Sequence, residues 1–146
     1  MLFRSVLCAQ PLVGDEPFAV LLADDLINAR TPVLKQMVNE YDYLQHAVIA
    51  VEEVPHDQTD RYGIVRVDAQ NGGSGTYRGK RSRSMSQIVE KPKPKDAPSN
   101  LAVVGRYILP AAIFDELRAL PAPRKGKELQ LTDRSEEHTS ELPVTQ

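Results

Sequence analysis

The stretch Phe18-Ala19-Val20-Leu21-Leu22-Ala23-Asp24-Asp25 decides how the chain is read: an unbroken apolar run that stops at two carboxylates. Continuous rather than alternating hydrophobicity suits a strand buried on both faces of a mainly parallel sheet. After it, Thr31 offers a helix N-cap and Pro32 a first-turn residue. Val33, Leu34, Met37, Val38 and Tyr41 follow at helical spacing, with Lys35, Gln36, Asn39 and Glu40 expected on the opposite side. Ala47-Val48-Ile49-Ala50-Val51 is a second buried-type strand, closed by Glu52-Glu53-Val54-Pro55. Strand, helix and strand of these lengths predict a βαβ unit.

Further along, Gly63 to Asp68 alternates and predicts a more exposed strand, and Asn71-Gly72-Gly73-Ser74-Gly75 a turn or flexible loop. Ser86-Gln87-Ile88-Val89-Glu90-Lys91-Pro92 reads as a strand that Pro92 must end or push to an edge. Lys93 to Ser99 is proline-punctuated loop, and Asn100 to Leu109 carries a further apolar run. Pro110 is expected to open a helix with apolar positions Ile113, Phe114, Leu117 and Leu120, and Arg124 to Lys127 reads as a solvated basic loop. The pattern is α/β with some antiparallel additions.

Composition excludes several classes. The chain has 146 residues, a net charge of −2 and a mean hydropathy of −0.37. No run of ~18 apolar residues argues for a transmembrane helix, and the first twenty residues lack the order of a secretory signal. One cysteine, Cys8, cannot close an internal disulfide, which fits a reducing compartment; its apolar neighbours suggest a packing role. The charge balance argues against a nucleic-acid surface, although Arg78, Lys80, Arg81 and Arg83 form a local basic cluster. His46 and His56 have no Asp, Ser or Cys at a persuasive spacing and read as structural or solvated.

The two ends read differently from the interior. Leu2-Phe3-Arg4-Ser5 and Arg134 to Leu142 resemble translated DNA-sequencing adapters, and Pro143 to Gln146 the same adapter after a one-base slip. Residues 1–5 and 134–146 are therefore expected to be foreign, the latter disordered, around a partial domain at 6–133.

Read in order, Val13-Gly14-Asp15-Glu16-Pro17 with the apolar run to Asp25, Tyr62-Gly63, Val89-Glu90-Lys91-Pro92, Pro98 to Tyr107 and Glu128 to Asp133 resemble the bacterial UTP–glucose-1-phosphate uridylyltransferase family. The resemblance implies a Rossmann-like nucleotidyltransferase three-layer sandwich with a mixed, mostly parallel sheet, incomplete at both ends. It implies a cytoplasmic enzyme that forms UDP-glucose and pyrophosphate from UTP and glucose-1-phosphate with Mg²⁺. The full-length protein is expected to be a homo-oligomer without nucleic-acid or membrane partners. In such transfers positioning and electrostatics dominate.

By the same resemblance Asp24 is the magnesium aspartate, and Mg²⁺ commonly takes one or two carboxylates plus substrate phosphates. Read alone, Asp24-Asp25 is polar punctuation after a strand or a cap of the next segment; the resemblance makes Asp24 the ligand and Asp25 its neighbour. Glu90 and Lys91 match the pair that holds the sugar phosphate, a carboxylate for hydroxyls and an ammonium for phosphate oxygens. Read alone, they are an exposed pair on an edge strand. Adjacent strand residues point to opposite faces, so both reach one ligand only if the strand ends or bends there, as Pro92 suggests. Gly63 matches a glycine whose backbone approaches the sugar, or is a turn residue after Tyr62. Asn100 contacts sugar or caps its loop, and Val103 and Gly105 match the stretch that closes over the hexose.

Rival readings are a thymidylyl or guanylyl enzyme, a metal-using glycosyltransferase of related architecture, and a non-catalytic sugar-nucleotide-binding domain. The glycine-rich loop with Arg and Lys that opens this family has no counterpart in the chain, since Gly72 to Gly75 is internal and leads into no helix. The expectation is an inactive fragment holding much of the sugar-phosphate half. Purified, the chain should release pyrophosphate from UTP and glucose-1-phosphate no faster than buffer; release abolished by Asp24→Ala would contradict this.

Overall fold

A computed structural model of the chain describes residues 2–67, 75–77, 80–119 and 142–145. In chain order the elements are α1 (Leu2–Val13), β1 (Phe18–Leu21), α2 (Val33–Leu44), β2 (Val48–Glu53), β3 (Gly63–Val67), β4 (Gly75–Tyr77), β5 (Lys80–Glu90), β6 (Leu101–Leu109), α3 (Ile113–Ala119) and β7 (Leu142–Thr145). Two 3₁₀ turns lie at His56–Arg61 and Pro94–Asp96.

The strand β6 organises the sheet. Along one edge it pairs β1, from Phe18 opposite Leu109 to Leu21 opposite Arg106. Along the other it pairs β2, from Val48 opposite Ile108 to Glu53 opposite Leu101. Both pairings are antiparallel, so β1 and β2 run in the same direction with β6 between them, and α2 crosses from one to the other. The order is β1-β6-β2-β7-β5-β3, with β4 on β5, and Ile64 opposite Ala102 joins β3 back to β6.

Alternation divides the side chains between two faces. Ile49, Val51, Leu101, Tyr107 and Leu109 share one face, with Phe18 and Val20 packed against them. Part of that face is covered by α1 and α3 through Val6, Phe114 and Leu117. Phe18 and Phe114 stack with centroids 5.0 Å apart, and Arg118 of α3 bonds the side chain of Gln10 in α1. The opposite face carries Val48, Ala50 and Ile108 under Met37 of α2. Helices on both faces make three layers.

Several expectations are corrected. The sheet is not mostly parallel: among the described residues only β2 and β7 pair in parallel. The apolar runs of β2 and β6 reflect burial on both faces, which an antiparallel strand inserted between two co-directional ones shares with a parallel sheet. The strand β1 is not buried on both faces, since its residues alternate and Leu21 is 51% exposed. Conversely, in β3 Ile64 and Val65 are both buried, because Ile64 also meets β6.

The N-cap of α2 is Pro32 without a side-chain cap, and the Thr31 carbonyl instead accepts from the Gln36 side chain at 2.8 Å. Glu40 is buried and Val38 exposed, because Glu40 and Tyr41 follow Met37 at the offsets that share a helix face. The helix ends at Gln45, left-handed at φ 55°, whose N–H donates to the Tyr41 carbonyl at 2.7 Å. Cys8 is exposed rather than packed. Pro110 opens a turn before α3, which begins at Ile113. Against the expected disorder of 134–146, Leu142–Thr145 pairs between β2 and β5. Leu120, Asn71–Ser74, Arg78, Arg124–Lys127, Glu128–Asp133 and the remaining terminal residues lie outside the described residues.

Because Phe114 is 1% exposed and stacks on Phe18, Phe114→Ala should cost about 3 kcal/mol or more, read as a lower urea midpoint. Val38→Ala, at an exposed position, should move the midpoint by under about 0.5 kcal/mol equivalent.

Candidate functional site

The site is built where β6 breaks register. Ile49 faces Tyr107 and Val51 faces Val103, so Val104, Gly105 and Arg106 stand opposite the single residue Ala50. Such a bulge needs an unusual backbone, and Gly105 supplies it at φ +58°. The space a Cβ would occupy there is taken by the Asp25 carboxylate and, at 2.9 Å, by Cβ of Leu22. The Leu22 N–H donates to the Gly105 carbonyl at 2.9 Å. The turn at Ala23–Asp24 that follows β1 is thereby seated in the bulge, with Asp24 exposed and Asp25 half-buried.

A second group lies at the paired ends of β3 and β5. Gly63 is in register with Glu90, and a Cβ on Gly63 would meet Ile88 at 3.2 Å, Glu90 Oε2 at 3.3 Å and Val103 at 3.9 Å. Gly63, Glu90 and Val103 therefore converge on one face. Lys91 breaks the strand at φ 46°, its N–H donating to the Tyr62 carbonyl at 2.9 Å. That left-handed residue bends the chain at the end of β5, so Glu90 and Lys91 need not follow simple strand alternation. Glu90 and Lys91 are both exposed.

Tyr107 links the two groups. Its phenol is pushed up to about 12, first by burial, then by the negative charges of Asp25 and Glu90. One hydroxyl thus feels carboxylates from both the β1 turn and the β5 end. Tyr107 was missed from the sequence, although a polar ring inside an apolar strand, near Val103 and Gly105, was a usable signal.

Asn100 is exposed and outside these contacts: its carbonyl accepts from the Val54 N–H at 3.0 Å. The loop is held instead by Ser99, whose hydroxyl donates to the Val65 carbonyl at 2.6 Å and accepts from the Leu101 N–H at 3.0 Å. His46 and His56 are exposed. Among the described residues, no cluster of three or more His, Cys, Asp or Glu side chains forms a ready-made metal cage, and no helix is long and apolar enough to cross a membrane. The oxygen donors of Asp24 and Asp25 fit Mg²⁺, which draws the rest of its shell from water and phosphate.

A sequence profile of the nucleotidyl transferase family matches residues 3–143. The chain belongs to that family. It is 46% identical to a UTP–glucose-1-phosphate uridylyltransferase of Staphylococcus haemolyticus, over 93% of this chain and 44% of that one. It is 44% identical to one from Pseudomonas aeruginosa, over 89% of this chain and 44% of the relative. A crystal structure of UDP-glucose pyrophosphorylase complexed with UDP-glucose superimposes with a TM-score of 0.81 at 40% identity, over 99% of this chain and 53% of that one. The chain thus spans about half the length of the relatives it matches. The motif order read from the sequence is borne out at the level of family and α/β nucleotidyltransferase fold.

In this nucleotidyl transferase chain the Tyr107 phenol has a consequence for stability. Unfolded, it ionises near its ordinary 10.0; folded, near 12. Between these values the unfolded chain holds fewer protons, so this contribution is intact below pH 10 and lost as pH rises to 12, by about 2–3 kcal/mol. Tyr107→Phe should flatten the alkaline fall of the urea midpoint over that window; an unchanged slope would show that Tyr107 does not cause it.

Proposed function

We propose that this chain carries the sugar-phosphate part of a UTP–glucose-1-phosphate uridylyltransferase. The observation that carries the reading is the convergence of Gly63, Glu90 and Val103 on one face, joined through Tyr107 to the acidic turn at Asp24–Asp25. The named relatives support it in substrate class.

In the whole protein, an oxygen of the glucose-1-phosphate phosphate forms a bond to the α-phosphorus of UTP. The bond from that phosphorus to the bridging oxygen breaks, and pyrophosphate leaves with the electron pair. Glu90 accepts hydrogen bonds from sugar hydroxyls, and Gly63 and Val103 set the close walls around the ring. Lys91 pairs its ammonium with phosphate oxygens as a compact charge. Asp24, with Asp25 beside it, would hold Mg²⁺, which when bound offsets the negative charge gathered on the phosphates. The neutral Tyr107 phenol is available as a hydrogen-bond donor between Asp25 and Glu90. A cytoplasmic, homo-oligomeric full-length enzyme completes the proposal.

Glucose-1-phosphate titrated with Mg²⁺ into the 146-residue chain should shift the amide resonances of Gly63, Val103 and Gly105. Glu90→Gln and Lys91→Met should each weaken binding about tenfold, the loss of one charge-assisted contact. Shifts confined to the opposite face, around Met37 and Val104, or unchanged affinity in both variants, would overturn the reading.

A further inference from the structure

The β6 bulge also carries a clamp. From it the half-buried Arg106 guanidinium reaches the turn that follows β1. Its Nη1 donates to the Leu22 carbonyl at 2.7 Å and to the Gly105 carbonyl at 3.1 Å, and its Nη2 donates to the Asp25 carbonyl. The Leu22 and Asp25 carbonyls bracket the Ala23–Asp24 turn, so one planar fork holds both ends of the segment that presents the two carboxylates. A guanidinium is suited to this because its donors are fixed in one plane and its charge is permanent. The strand ladder ends at Leu21, so the turn beyond it depends on contacts of this kind.

We infer that Arg106 is a positioning residue for the acidic turn. Its guanidinium acts through the Leu22 and Asp25 backbone carbonyls. It couples β6, which presents Val103 and Tyr107 to the site, to the carboxylates of Asp24 and Asp25. The inference rests on the reading of Asp24 as a cation ligand. A purely structural role would be expected to act on the core, but the three bonds this guanidinium makes go to Leu22, Gly105 and Asp25 carbonyls at the turn and the bulge, and the backbone pair Leu21–Arg106 forms whatever the side chain.

The test uses Mn²⁺ in place of Mg²⁺, titrated into the 146-residue chain with saturating glucose-1-phosphate. Paramagnetic broadening of the Ala23, Asp24, Asp25 and Gly63 amides reports the cation, hydrogen exchange of Leu22 to Ile27 reports the turn, and the urea midpoint reports the fold. Arg106→Met should raise the Mn²⁺ concentration needed about tenfold, the usual scale for an outer partner of a metal ligand, and speed exchange in the turn while the midpoint holds. Arg106→Lys, which keeps the charge but not the fork, should recover part of the affinity. Asp24→Asn should abolish the broadening and leave exchange in the turn unchanged. If Arg106→Met binds Mn²⁺ like the unsubstituted chain while Asp24→Asn does not, the positioning role is overturned and the cation site stands. Affinity lost only in step with the urea midpoint, with no recovery in Arg106→Lys, also overturns it. Broadening that survives Asp24→Asn removes the cation reading, and this inference with it.

Discussion

Three residues of β6 standing against one of β2 set the dimensions of the site. A regular strand advances roughly 3.3 Å per residue, so Val103 and Tyr107 would lie about 13 Å apart; matched to Val51 and Ile49, they are separated by about 7 Å along the sheet. The bulge therefore draws the residue beside Gly63 and Glu90 toward the residue that feels Asp25, and keeps both on one face. Without it, Leu101 to Val103 would slide two positions relative to the rest of β6, and the contact of Ala102 with Ile64 that anchors β3 would be lost.

The same geometry concentrates negative charge. Asp25 and Glu90 come from elements far apart in sequence, yet both raise the proton affinity of one buried phenol. Burial strengthens their effect, because fewer waters screen the field. A surface with this potential favours a cation and hydroxyl donors, and a sugar phosphate accompanied by a divalent ion supplies both. Lys91 follows at the end of β5, where its left-handed backbone turns the chain away from simple strand alternation.

Much of this was legible in the sequence, for local reasons. The helix at Val33–Leu44, the strands at Val48–Glu53 and Leu101–Leu109 and the punctuation at Pro92 follow from periodicity and proline chemistry, and each forms. The break after Glu90 could be anticipated from Pro92, which must end the strand or push it to an edge. Strand direction could not. A run buried on both faces reads alike whether its neighbours are parallel or antiparallel, and only the insertion of β6 between β1 and β2 distinguishes the cases. Tyr107 and Arg106 escaped because their significance is relational. One becomes notable through carboxylates far away in sequence, the other through carbonyls, which are the same at every position. Asp25 stands out only in the fold, where its carboxylate fills the space over Gly105.

The two glycines of the site illustrate different constraints. At Gly63 the neighbours of an added methyl would be a Glu90 carboxylate oxygen, which can swing away, and a packed Ile88 methyl, both just inside ordinary contact. The fold would accommodate the methyl, but at the expense of the carboxylate's aim, so the constraint there is chemical. At Gly105 the backbone is left-handed and the space is already filled by Leu22 and Asp25. A side chain there would be strained and would also unseat the turn, so the constraint is architectural. Since the seated turn is also the one Arg106 grips, β6 and the acidic turn are held as a single unit, by the bulge on one side and by the guanidinium on the other.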